Sequence, residues 1–244
     1  TGESTALDGD EKHAVIDACS NVCAERSAQL IVGAGTNNTR TTRQAVKELA
    51  GTPALVATLI VVPYYVRPSE AGIVAHLRAV AEVSPVPIVV YNIPARTGRN
   101  LSARHLYELA RSPNFAGVKQ APATLDDDTL ELVRLTNQVE GFEVLGGTDT
   151  FLFPLVVMGG TGTICASAHV CTERFVEMIE CGLAGKVDEG RAHAEALLPV
   201  TQALFRPNVS GDFTNGLADL LDVIGVNYRD RELLQAWKDK PGRK

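Results

Sequence analysis

Short runs rich in Val, Ile and Leu recur along the chain and most constrain its fold: AQLIVGAG (28–35), ATLIVVPYY (57–65), VPIVVYNIP (86–94), FAGVKQA (115–121), FEVLGGTD (142–149) and TGTICASA (161–168). Their hydrophobicity is near-continuous rather than alternating, and each ends in Gly, Pro or polar residues, as strands buried on both faces do. An amphipathic run from Asp10 to Arg26 precedes them, and the stretches 69–82, 102–111, 126–138, 150–158 and 172–184 carry apolar residues at helical spacing. Alternating strands and helices imply an α/β fold whose parallel strands are joined by right-handed crossovers. With 244 residues and 45% hydrophobic content, the chain can bury one large core, and a (β/α)8 TIM barrel is the common closed form at that length.

Six runs are two short of eight. The opening TGES reads as a loop that joins a strand to the helix starting near Asp10, so the expectation is a TIM barrel lacking its first two strands. Residues 1–185 would form this partial barrel, strands three to eight. Residues 186–244, where only helical patterns continue, would form a C-terminal helical appendix.

The formal net charge of -6 and the absence of a Lys/Arg block point away from nucleic acid and anionic membrane surfaces as partners. No apolar stretch reaches the roughly 18 residues of a transmembrane helix, and the expected location is the cytoplasm. Five cysteines without zinc-site spacing fit reduced thiols better than a disulfide scaffold. Cys19 and Cys23 share a helix face, but no pair of histidines stands at matching spacing to make a metal site, so no metal is expected.

In a barrel the chemistry sits at the carboxyl ends of the strands. Among the polar residues there, Lys119 is the outlier, because it ends an otherwise apolar strand. Desolvation favours the neutral amine, the state in which a lysine attacks a carbonyl carbon; the alternative is a lysine that snorkels its head to solvent. Tyr91, at the end of a neighbouring strand, could relay protons, and Arg96 in the following loop could grip a carboxylate. Taken singly, each also reads as a packed aromatic and a solvated loop charge.

TGES, PYYVRPSEAG, YNIPARTG and GVKQA, in this order and at these separations, resemble the dihydrodipicolinate synthase and N-acetylneuraminate lyase superfamily of Schiff-base barrels. The resemblance covers Thr1 to about Phe205. It implies that Lys119 forms an imine with pyruvate, that Tyr91 is the acid/base phenol and that Thr1 hydrogen-bonds it. It implies that Tyr65 completes the relay from a neighbouring subunit, which calls for a homodimer or homotetramer. Gly147 and Ile164 would line the pyruvate pocket, and Arg96 would hold the carboxylate of a small aldehyde substrate. The PARTG sequence matches the synthase branch, so condensation of pyruvate with L-aspartate 4-semialdehyde, toward diaminopimelate and lysine, is the expected reaction, with no cofactor. A pyruvate aldolase acting on a sugar acid and an inactive barrel with a binding role are the competing readings. The chain departs from the family pattern at GTD (147–149), at His169 and after about residue 208; Gly9, Lys12 and Thr41 stand where the family's lysine-feedback side chains lie, against feedback inhibition.

Overall fold

The computed structural model describes residues 4–205; Thr1 and the tail beyond 205, including most of the expected appendix, lie outside the described residues. Helix α1 (Gly9–Glu25) leads to β1 (Leu30–Gly33), α2 (Thr39–Glu48), β2 (Leu55–Val61), α3 (Glu70–Ala81) and β3 (Ile88–Asn92). A short α4 (Pro94–Thr97) precedes α5 (Ala103–Ala110), β4 (Phe115–Gln120), α6 (Asp127–Thr136), β5 (Glu143–Gly146) and α7 (Leu152–Val157). The last described elements are β6 (Gly162–Thr163), α8 (Thr172–Leu183) and α9 (Val187–Leu204).

All six strands pair in parallel in sequence order, β1 to β6, the order of a barrel wall. Side-chain alternation then sorts the residues. Ile60, Val90, Val118 and Val144 pack against Ile73, Leu77, Leu106 and Leu132 of the surrounding helices in one continuous core. Their chain neighbours Leu59, Tyr91, Lys119 and Leu145 point to the opposite face, toward the barrel axis. A second core joins Leu152 and Phe153 of α7 to Phe175 and Met178 of α8 and Leu197 of α9.

Polar residues set the helix starts. Asp8 and Glu11 form a reciprocal capping box on α1, with Asp8 Oδ1 accepting from the Glu11 N–H and Glu11 Oε2 accepting from the Asp8 N–H, each at 2.9 Å. Ser69 and Asp126 cap α3 and α6 through their side chains.

Two features differ from the sequence pattern. Helix α2 is absent from the periodic stretches because its sequence, TRTTRQAVKE, buries only Thr42 and Val46. Asn38 starts it by accepting from the Thr41 N–H. The strands are also shorter than the apolar runs, most of all in 161–168, where only Gly162 and Thr163 pair and residues 167–169 turn into a 3-10 helix. Apolar residues near a strand end remain buried by neighbouring loops after the ladder stops, so hydrophobicity outlasts pairing.

Candidate active site

Parallel strands bring their last residues to one end of the sheet, and there β3 and β4 place Tyr91 directly opposite Lys119. The lysine is 4% exposed, and its Nζ lies 4.3 Å from the centroid of the Tyr91 ring. Burial pushes the Lys119 pKa down to about 8, against the opposing pull of the Asp149 carboxylate. The aromatic face also favours the ammonium, by about 0.5–2 kcal/mol for such contacts, so desolvation is the larger effect.

Gly147, just beyond β5, forms the wall beside the lysine: a Cβ there would sit 3.0 Å from both Lys119 Cγ and Cε. Its N–H donates to Gln120 O at 2.8 Å, which keys this wall to the strand carrying the lysine. One strand further on, the Ile164 N–H donates to Gly146 O at 2.9 Å and its side chain is buried. Lys119, Tyr91, Gly147 and Ile164 are therefore gathered along consecutive strand ends.

Arg96 and Tyr65 lie on the connections that follow β3 and β2. Arg96 lies in α4 and is exposed at the rim. Tyr65 is 89% exposed on the loop after β2, with φ 70. Thr1 lies outside the described residues.

Asp149 and Cys165 also neighbour Lys119, and the sequence motifs gave neither of them a role. Asp149 Oδ1 accepts from the Ser167 N–H at 2.7 Å, bridging the loops after β5 and β6, and its negative charge acts on Lys119. Cys165 is 2% exposed, and burial first, then Asp149, pushes its thiol pKa up. It is thus held as a neutral thiol. Strong enough signals existed only for Asp149, a carboxylate at the end of an apolar run; Cys165 reads as one more core residue.

Beneath the reacting face, Asn92 and Gln120 follow Tyr91 and Lys119 in sequence and point the other way. Asn92 Nδ2 reaches Gln120 Oε1 at 3.0 Å, Asn100 Oδ1 at 2.9 Å and Leu101 O at 3.1 Å, and Asn92 Oδ1 accepts from the Leu101 N–H at 3.1 Å. Gln120 Nε2 donates onward to Thr129 Oγ1 at 3.0 Å. This buried network holds the backbones of β3 and β4 in register where they carry the two candidate reactive groups.

The model of the Dihydrodipicolinate synthetase family matches residues 1–235. The 4-hydroxy-tetrahydrodipicolinate synthase of Listeria welshimeri is 37% identical over 205 residues, 84% of this chain and 69% of the relative. The crystal structure of dihydrodipicolinate synthase from Thermotoga maritima matches with a TM-score of 0.79 and 32% identity, over 85% of this chain and 70% of that one. The chloride-inhibited dihydrodipicolinate synthase from Acinetobacter baumannii, complexed with pyruvate, matches with a TM-score of 0.77 and 28% identity over 85% and 70%.

Proposed function

The chain belongs to the dihydrodipicolinate synthetase family, and from that premise we propose that it condenses pyruvate with L-aspartate 4-semialdehyde through an imine on Lys119. One observation carries the assignment: Lys119 is a buried lysine at a strand end, opposite Tyr91, with its pKa lowered to about 8. At pH 7 roughly a tenth of such amines are neutral, against a few in ten thousand at the ordinary lysine value, a gain of roughly 300-fold in nucleophile.

Neutral Nζ adds to the ketone carbon of pyruvate, and loss of water leaves an iminium. The positive nitrogen acidifies the adjacent methyl group; loss of a proton gives an enamine, whose carbon attacks the aldehyde. Each step moves a proton, and Tyr91, across the strand pair from Lys119, is placed to carry it. Gly147 and Ile164 line the small pocket in which pyruvate sits, Gly147 because any side chain there would displace the lysine. Arg96 at the rim receives the aldehyde's carboxylate. Thr1 and Tyr65 extend the relay, with Tyr65 supplied by a second copy of the chain; its 89% exposure leaves it available for that.

Treatment with pyruvate and borohydride tests the reading. It should add a covalent pyruvate-derived group at Lys119, and Lys119→Arg should abolish the adduct because a guanidinium stays protonated. An adduct undiminished in that variant would overturn the nucleophile. With L-aspartate 4-semialdehyde as second substrate, Arg96→Ala should weaken its use by about 2 kcal/mol while leaving the adduct intact. Turnover with a sugar-acid aldehyde instead would place the chain in the other branch.

A further inference from the structure

Among the described residues only four non-glycine positions have positive φ, and two of them, Tyr65 at 70° and Arg67 at 45°, flank Val66 on the loop after β2. The Val66 N–H donates to Tyr64 O at 2.8 Å. A three-residue turn with that bond and a central φ near +75° is the rare, strained form of the γ-turn, and it persists only where its surroundings over-determine it. The Tyr65 side chain cannot hold it, being 89% exposed.

Two contacts from the loop after β3 do. Arg99 Nε–H donates to Arg67 O at 3.1 Å. The Arg67 guanidinium in turn lies over Gly98, where a Cβ would stand 2.7 Å from Arg67 Nε. Gly98 has φ 67, so this position needs glycine both for its conformation and for the approach. Arg99 is itself anchored from the interior: the buried Thr97 hydroxyl lies 2.8 Å from Arg99 O and 3.0 Å from Ile93 O. The Arg99 N–H reaches back to Thr97 Oγ1 at 3.4 Å.

We propose that Arg99 is a positioning residue for Tyr65: its side chain clamps the strained turn that projects the tyrosine. This rests on the reading of Tyr65 as a relay phenol. Arg99 itself is exposed, so its removal releases the clamp without opening the core.

The test compares the full chain with Arg99→Ala, Tyr65→Phe and the double variant. Each is measured for kcat, for the extent of pyruvate trapping by borohydride, and by ¹⁹F NMR after incorporation of 3-fluorotyrosine. The chain has five tyrosines, and the signal lost in Tyr65→Phe identifies the one of interest. Arg99→Ala should shift the Tyr65 signal and lower kcat roughly tenfold with trapping unchanged, within the range of acid–base contributions. In the Tyr65→Phe background, Arg99→Ala should lower kcat no further. An unmoved Tyr65 signal overturns the clamp, as does an Arg99→Ala loss of equal size in both backgrounds. A shifted signal in a chain whose Tyr65→Phe variant keeps full kcat upholds the clamp and rejects the relay reading instead.

Discussion

At the scale of the residue, Lys119 carries a stability cost that its proposed role as a nucleophile requires. Its pKa is about 8 in the fold and 10.5 in the unfolded chain. Below pH 8 both states hold the proton, and the native state bears the full cost of burying it, on the order of 3 kcal/mol by the linkage relation. Between pH 8 and 10.5 the unfolded chain binds more protons than the native one, so native stability rises with pH through that window. Lys119→Met, similar in volume and uncharged, should therefore raise the melting temperature at pH 7 by several degrees while abolishing imine trapping. The stability difference should shrink as the pH is raised from 8 to 10.5. A Met variant less stable than the parent at pH 7 would show that Asp149 and the Tyr91 ring outweigh the burial. The sequence marked this lysine by its apolar surroundings, but the size of the effect depends on Gly147 closing over it from another strand.

At the scale of the element, β3 and β4 act as a unit because Asn92 and Gln120 are bonded to each other and to the loops and helix behind them. Asn92→Ala would leave Gln120 Oε1 and the Leu101 N–H without their buried partner, a loss of about 2–4 kcal/mol for two such groups. Urea denaturation should show the midpoint falling by that equivalent, and imine trapping should fall with it, since Tyr91 precedes the altered residue. An unchanged midpoint would mean that water replaces the amide at no cost. The dipeptides Tyr91-Asn92 and Lys119-Gln120 are visible as motifs, yet only the pleat reveals that each has one residue toward the barrel axis and one toward the helices behind the sheet. Helix α2 escaped periodicity because two buried side chains are too few to draw a stripe.

At the scale of the whole molecule, each edge strand, β1 and β6, has one neighbour among the described residues. Inward-facing Ile31, Leu59, Val61 and Leu145 are half-buried, whereas Val32, Ile60 and Val144 beside them are buried against helices. Partly covered apolar faces favour association. Tyr65 and Val66, 89% and 58% exposed, add an apolar projection at the catalytic end. Sedimentation velocity should accordingly show species of at least twice the 26.0 kDa chain mass. A 26.0 kDa monomer with full turnover would show that no second copy supplies Tyr65.

The sequence by itself determined the order of the strands and of most helices, the parallel α/β class and a lysine at an apolar strand end as the candidate nucleophile. These follow from contacts a few residues apart: hydrophobic period, capping side chains, and turn residues at the ends of apolar runs. Only the tertiary structure decided which side chains surround Lys119. The Asp149 carboxylate acts on it from 30 residues away along the chain, and the neutral Cys165 thiol is buried near it from 46 residues away; that proximity is set by strand register across β4, β5 and β6, which no local pattern records. The same holds for the turn at Tyr65. Its backbone conformation is unfavourable for the residues that adopt it, so local preference argues against it, and contacts from Arg99 and Gly98 on the next loop hold it in place.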